Sequence, residues 1–293
     1  MRAIFAGERG SFAEAAARAY FGPECRIESV PLFEDVFHAA AEDGTVRGVV
    51  PIENTRGGSV HQNYDFLLES GCFVVGEISL TISHCLVANP GTTLRGIRRV
   101  LSHPQGLAQC RRFLGRRKRW VREETVNTAA AVKLIRDAGL RDAAAVASKQ
   151  AAIDFEMDIL AENIQDDEDN MTRFLVIAKR PFSKRRLEAL EKDGDIGQTP
   201  MKTSIIFSMK NIPGSLFKSL AVFALREIDL FKIESRPTFG QGFQYLFYLD
   251  FEGSTLGAPQ QNALRHLQEM TTFFRVLGSY PVGGRVTPSH SRR

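Results

Sequence analysis

The stretch Gly48–Gln62, GVVPIENTRGGSVHQ, runs through a strand, a turn and a helix start in immediate succession. Gly48–Ile52 is apolar and β-branched, as a buried strand requires, and the Gly57-Gly58 pair closes it with a turn. Ser59-Val60-His61-Gln62 follows with the S-x-x-E/Q spacing of a capping box, a signature of a helix N-terminus. Between strand and turn, Glu53, Asn54, Thr55 and Arg56 present polar groups that a fold alone does not need. Strand, polar turn and helix in that order build an open α/β sheet, whose ligands collect beyond the C-terminal ends of its strands.

The same unit recurs on either side. Ala3–Ala6, Cys72–Leu80, His84–Ala88, Arg99–Leu101, Ala143–Ala147 and Arg173–Ala178 read as further strands. Helices are expected to begin near Ser11, Phe33, Ser59, Pro104, Thr128 and Ser148, giving a layered α/β domain with a largely parallel sheet. Ser11-Phe12-Ala13-Glu14 and Ser102-His103-Pro104-Gln105 repeat the capping-box spacing, and Pro104 suits a first helical turn. Thr125 or Asn127, and Ser148, offer further caps. Helix N-termini carry free N–H groups and a favourable dipole for anions. Several of them around one cleft would suit a small ligand with more than one negative charge. Asp166–Asn170, DDEDN, then leads abruptly into Met171–Val176, where Thr172 and Arg173 sit at a strand entrance.

After Ala178 the composition changes. Lys179–Pro200 is charged and bounded by prolines, which marks a linker over 181–201 with room for one short helix. From Lys202 the order is strand (KTSIIFSM), helix (GSLFKSLAVFALREI), strand (DLFKIESRP), strand (QYLFYLDFEG), helix (PQQNALRHLQEM) and strand (TFFRVLGSY). That βαββαβ order is the ferredoxin-like arrangement. Residues 283–293 are rich in Gly, Pro, Ser and Arg and read as a frayed tail.

The 293 residues suffice for two cores, with 43% hydrophobic and 25% charged content ordinary for a soluble protein. No apolar run approaches the ~20 residues of a membrane span, and MRAIFAGERGSF lacks a signal-peptide layout. The expectation is a cytoplasmic protein with no membrane partner. Its four cysteines (Cys25, Cys72, Cys85, Cys110) show no CxxC spacing and are expected to be reduced. His84-Cys85 alone makes no zinc site, so no metal is expected. Net charge is a mild +4, and the basic run Arg111–Arg119 reads as a solvated helix end rather than a nucleic-acid surface.

PIENTRGGSV, SHPQGLAQC and NMTRF, in this order and spacing, together with the opening GERGSFAEAA, resemble the prephenate dehydratase family. The C-terminal part resembles an ACT domain of the phenylalanine-binding kind, with its paired signatures at Gly214-Ser215-Leu216-Phe217 and Glu234-Ser235-Arg236-Pro237. Two positions depart from the usual pattern: Thr55 follows Glu53-Asn54 where serine is common, and GSLF stands where GALV is common. The resemblance implies an α/β protein whose two-lobed catalytic domain is like type II periplasmic-binding proteins. A ferredoxin-like βαββαβ ACT domain is expected to follow it. The implied boundaries are 1–180 for the catalytic domain (lobes about 1–80 plus 161–180, and 81–160), 202–282 for the ACT domain and 283–293 for the tail. No chorismate mutase segment is expected ahead of Met1.

The implied reaction converts prephenate to phenylpyruvate with loss of water and carbon dioxide, without metal or cofactor, because the aromatising ring accepts the electrons. The resemblance makes Thr172 the residue most closely tied to catalysis. Its hydroxyl would hydrogen-bond the departing hydroxyl rather than transfer a full proton. Glu53 either supplies the proton or fixes neighbouring donors. Arg173 has carboxylate-binding chemistry, Asn54, Thr55, Thr81, Gln105 and Gln109 are candidates for orienting the substrate, and Phe174 packs beside it. Asn211, Gly214, Ser215, Leu216, Glu234, Ser235 and Arg236 are expected to bind phenylalanine as effector, in a homodimer or homotetramer. Arogenate dehydratase, the same ring chemistry on the transaminated substrate, is the alternative within the family. A non-catalytic amino-acid sensor is the alternative outside it.

Overall fold

The computed structural model describes residues 1–192, 200–237 and 245–287. In chain order the elements are β1 (Arg2–Ala6), α1 (Phe12–Phe21), β2 (Arg26–Val30), α2 (Phe33–Glu42), β3 (Val46–Asn54), β4 (Gly58–Ser59), α3 (His61–Glu69), β5 (Phe73–Thr81), β6 (Cys85–Ala88), β7 (Arg99–Ser102), α4 (Pro104–Gln109), α5 (Arg111–Gly115) and β8 (Val121–Glu124). They continue as α6 (Thr128–Asp137), β9 (Ala143–Ala147), α7 (Lys149–Asp154), β10 (Asp158–Ala161), β11 (Met171–Ala178), α8 (Lys184–Lys192), β12 (Met201–Ser208), α9 (Ser215–Ala224), β13 (Leu230–Pro237), β14 (Tyr245–Glu252), α10 (Ala258–Met270), β15 (Phe273–Pro281) and β16 (Arg285–Val286). The chain forms two compact units. One comprises Met1–Phe66, Ile78–Leu175 and the segment from Gly284; the other comprises Leu67–Glu77 and Val176–Gly283. Strands β5 and β11 each run from one unit into the other.

Two sheets organise the first unit. One has the order β16-β5-β11-β3-β1-β2, with β4 paired to β3, and β1 runs parallel to both β2 and β3. The other has the order β10-β6-β9-β7-β8. Its central strand β9, AAAVA, is wholly buried, with Ala143, Ala145 and Ala147 in one apolar cluster and Ala144 and Val146 in the other. Burial on both faces explains why a strand with no polar alternation forms there. Helix α1 starts where Ser11 Oγ accepts the Glu14 N–H at 3.3 Å, and the Glu14 carboxylate accepts from Gly10 N at 2.7 Å. Gly10 itself, at φ +76°, lets the chain pass so close to α7 that a Cβ there would lie 2.6 Å from Ala151 Cα. Ser148 Oγ donates to Gly10 O at 2.6 Å across the same approach.

The second unit contains a four-stranded antiparallel sheet, order β13-β14-β12-β15, with α9 and α10 on one face. Phe207, Phe223, Phe251, Val222, Ala263 and Leu267 form the core between sheet and helices. This is the βαββαβ order expected from the sequence. Segment Leu67–Glu77 joins this unit through Arg275, which donates to the carbonyls of Leu68 and Cys72, and through a buried ion pair between Lys202 and Glu77.

Several expectations are corrected. The β10-β6-β9-β7-β8 sheet is mixed rather than largely parallel: β6 pairs antiparallel with β9 and β10, whereas β7 pairs parallel with β8 and β9. Ser59 lies in β4 opposite Glu53, and α3 starts at His61. Ser102 is likewise a buried strand residue whose hydroxyl donates to Val146 O, and His103 caps α4 instead. The tail is not frayed from its start, since Arg285 and Val286 pair parallel with Ser79 and Leu80. Parts of the expected linker (193–199) and tail (288–293), and the expected strand start at Gln244, lie outside the described residues. No helix among the described residues is long and apolar enough to cross a membrane.

Candidate functional site

The first unit holds a cavity of about 220 Å³ lined by strands of its larger sheet and by the helix starts and loops around them. Ser11, Phe12 and Ala13 of the α1 start, His103, Gln105 and Gly106 of α4, and Asn127 and Thr128 of the α6 start all reach it. Asn127 caps α6 by accepting the Ala130 N–H at 2.7 Å, leaving first-turn N–H groups without intrahelical partners. Strand ends supply Asn54, Thr172 and Phe174, and the chain between β5 and β6 adds Ile82 and His84.

Asn54 is the hub. Its Nδ2 donates at 2.9 Å to Asn170 Oδ1, Met171 O and Thr172 Oγ1. Its Oδ1 accepts from the backbone N–H of Arg56 (3.0 Å) and Gly57 (2.7 Å), from Gln105 Nε2 (3.2 Å) and, more weakly, from Gln109 Nε2 (3.4 Å). Backbone groups on both sides therefore settle which end of the amide is which. A Cβ at Gly57 would displace the Gln105 amide from its place beside Asn54. The Thr172 oxygen thus accepts from Asn54, and its own O–H remains available to a ligand.

Gln109 extends the network to His84, whose Nε2 lies 2.8 Å from Gln109 Oε1. His84 is 2% exposed, and burial pulls its pKa below the ordinary value, with the Gln109 bond opposing more weakly. The His103 imidazole is also held down, chiefly by burial, and its Nδ1 accepts the Gln105 N–H at 3.2 Å. Both rings are consequently neutral near pH 7.

The remaining expected residues are placed differently. Glu53 and Arg173 pair with each other, Nε to Oε1 at 3.2 Å, and neither lines the cavity. Strand alternation sends them to the face opposite Asn54 and Thr172. Thr55 clips the loop before β11: its Oγ1 accepts the Met171 N–H at 3.0 Å and its N–H donates to Met171 O. Thr81 lies outside the cluster, with its hydroxyl accepting from Arg285 at 3.4 Å. Phe174, 2% exposed, both packs in the core and lines the cavity. A second cavity of about 580 Å³ shares Gln105 and Gln109 and adds Arg56, Arg111, Arg112, Asp166, Asp167 and Asn170. The ion pair between Arg56 and Asp167 closes one side of it.

Residues 3–182, which include this whole arrangement, match the model of the family described as prephenate dehydratase. The chain belongs to that family. It is 47% identical, over 96% of its length and 73% of the relative's, to arogenate dehydratase/prephenate dehydratase 2, chloroplastic, of Arabidopsis thaliana. It is 45% identical to arogenate dehydratase 2 of Petunia hybrida, covering 96% of this chain and 72% of that one. Among solved structures, the prephenate dehydratase of Arthrobacter aurescens in complex with L-Phe superimposes with a TM-score of 0.82 at 27% identity, covering 96% of this chain and 90% of that one. A chain described as GqqA, a novel type of quorum quenching acylase, superimposes with a TM-score of 0.84 at 29% identity, covering 97% and 98%. As a member of this family the chain is a hydro-lyase of phenylalanine biosynthesis.

The expected effector residues divide into two groups. Asn211, Gly214, Ser215 and Leu216 line a cavity of about 360 Å³ in the second unit, together with Phe217, Tyr245 and Phe247. Gly214, at φ +81°, precedes α9, and Ser215 Oγ donates to Lys210 O at 2.8 Å. Glu234, Ser235 and Arg236 lie on β13 and do not line that cavity. Sequence reasoning missed His84, His103 and Asn170. In the sequence His84 precedes the buried strand CLVA, and beside Cys85 it suggests only half of a metal pair. The SHPQ segment points to Gln105, and nothing in its spacing gives His103 a role.

Proposed function

We propose that the cavity of about 220 Å³ binds prephenate and promotes its decarboxylating dehydration to phenylpyruvate, with Thr172 as the donor to the leaving hydroxyl. The observation that carries this reading is the 2.9 Å bond in which Asn54 donates to Thr172 Oγ1, fixing the threonine as acceptor from the protein and donor to the ligand. As the C–CO₂ bond breaks, its electron pair enters the ring and hydroxide departs from the opposite carbon. A preorganised donor at that oxygen stabilises the charge as it develops. The substrate's two carboxylates suit the starts of α1, α4 and α6 and the arginines Arg56, Arg111 and Arg112 of the adjoining cavity. Glu53 and Arg173 act as a strut behind the site. No hydrolytic triad supports an acylase reading, because the recorded partner of Thr172 Oγ1 among the described residues is an amide, not a base.

Prephenate is favoured over arogenate because, among the described residues, the lining of the smaller cavity includes no Asp or Glu to pair with an ammonium. Arogenate is the second reading, carried by Asp166 and Asp167 on the larger cavity. Incubating the protein separately with each compound and identifying phenylpyruvate or phenylalanine by mass spectrometry decides between them. Conversion of neither would overturn both.

The second unit is proposed to be an ACT domain that binds phenylalanine at the cavity before α9, with Glu234–Arg236 completing the site from a neighbouring subunit of a dimer or tetramer. The phenylalanine complex of the Arthrobacter relative supports this reading. Calorimetry on wild type and Gly214→Leu tests it; no heat at millimolar phenylalanine, with unchanged activity, counts against it. Four cysteines that are not paired with one another, three of them buried, suit a reducing compartment. Cytoplasm meets that requirement, and so does the plastid named for the Arabidopsis relative.

A further inference from the structure

Asn54 Nδ2 faces three acceptors and Asn54 Oδ1 faces two backbone donors, so this amide cannot turn over. Gln109 approaches Asn54 Oδ1 and must therefore present its NH₂ group there, leaving its own Oε1 toward His84 at 2.8 Å. An amide oxygen can only accept, so His84 Nε2 must carry the proton. The other ring nitrogen agrees: Nδ1 is buried without a hydrogen-bond partner among the described residues. A lone pair is cheaper to leave there than an N–H. The Phe12 ring packs edge-on against the imidazole, with centroids 5.4 Å apart, and limits its tilt. Every donor then points one way: His84 to Gln109, Gln109 to Asn54, Asn54 to Thr172, and Thr172 to the ligand.

We propose that His84 is a positioning residue for the dehydratase reaction: its Nε2–H anchors the Gln109 amide, which in turn holds Asn54 in line with Thr172. The inference rests on the role given to Thr172 above. His84 touches the reacting atoms through none of its hydrogen bonds. Its contribution is to stop the long Gln109 side chain, shared by both cavities, from swinging into either.

The test compares wild type with His84→Leu, His84→Gln, Gln109→Leu and the His84→Leu/Gln109→Leu double variant, with melting temperature measured for each. Loss of one ordering hydrogen bond should lower kcat of His84→Leu by roughly tenfold while KM stays within about threefold. His84→Gln, which keeps an N–H near the Nε2 position, should recover to within about threefold of wild type. The double variant should be no slower than Gln109→Leu alone, because the two residues act through one path. Wild-type kcat in a folded His84→Leu variant overturns the proposal. So do losses that multiply in the double variant, or a His84→Gln variant as slow as the leucine form. Should His84→Leu fail to fold, ¹⁵N NMR of the histidine rings and His84→Gln decide: an Nδ1–H tautomer at His84 would sink the proposed order. Thr172→Ala separates the two levels, since a slow Thr172→Ala with a fast, folded His84→Leu removes only the relay.

Discussion

Two polar networks in this chain, one part-buried and one buried, are built on opposite principles. Around the cavity of the first unit, Asn54, Gln105, Gln109, Thr172 and His84 form a network of amides, a hydroxyl and a neutral imidazole. In the second unit, Lys202 Nζ meets Glu77 Oε1 at 2.7 Å with both side chains less than a tenth exposed, and Asp250 accepts from Ser204 at 2.5 Å. Desolvating an ion pair costs several kcal/mol per ion, recovered only when both partners stay in place. Such a pair fixes one arrangement of its strands. A neutral network costs less to bury and lets an arriving anion be held by N–H and O–H groups, with no buried charge left uncompensated when the ligand departs. A fully buried charge pair thus stands in this molecule where nothing enters, whereas the smaller cavity proposed to take the dianion is lined, among the described residues, by neutral donors, with arginines only on the adjoining cavity.

The most damaging way to break the comparison is to remove one charge of the pair. Lys202→Met leaves Glu77 buried without its cation and should cost about 3–5 kcal/mol of stability in urea unfolding. Glu77→Gln added to Lys202→Met should recover most of that loss, because the glutamine still accepts from Gly283 N, 3.1 Å from Glu77 Oε1. A Lys202→Met variant as stable as wild type would mean that the pair does not fix its strands. On the neutral side, Thr172→Ala removes one transition-state donor and should lower kcat by ~10²–10³ with little change in melting temperature. Thr172→Ser keeps the oxygen and should retain appreciably more activity than the alanine form. Turnover near wild type in Thr172→Ala would remove this residue from the mechanism.

The parts legible in the sequence were those where periodicity and polarity disagree. Asn54 and Thr172 stand at strand ends where a core would want neither, and the structure puts them 2.9 Å apart. Buried strands such as AAAVA at β9 announced themselves as apolar runs. Strands β2 (RIESV), β8 (VREE) and β10 (DILA) did not, because each is a part-exposed sheet edge whose apolar residues are interrupted or flanked by charged ones. Ser102, which reads as a cap in the sequence, departs for a related reason. Serine at a strand end and serine at a helix start look alike until the register of the neighbour is known, and Ser102 finds its partner in Val146, far along the chain. Glu53 and Arg173 carry the right chemistry for a site but sit one residue out of phase with its face, so each finds the other.

The smallest expected effect sharpens the contrast through pH. His84 is buried neutral, so its folded pKa lies below its ordinary value near 6.5 while the unfolded chain keeps that value. Between the two values the unfolded state binds more protons than the folded one, and stability therefore rises with pH. The stabilisation from this residue is complete above about pH 6.5 and declines as pH falls below it, by at most about 1.4 kcal/mol per pH unit for one proton. His103, only half-buried, should contribute in the same direction with a shallower slope. Melting temperatures measured between pH 7.5 and 5 should fall toward acid in wild type and fall less steeply in His84→Gln. Most carboxylates have still to titrate in the upper part of that range, so the slope near pH 6 reports chiefly on the imidazoles. Equal slopes for wild type and His84→Gln would show that the cavity network tolerates a charged ring. In that case the contrast with the second unit would be one of hydrogen-bond count rather than of charge.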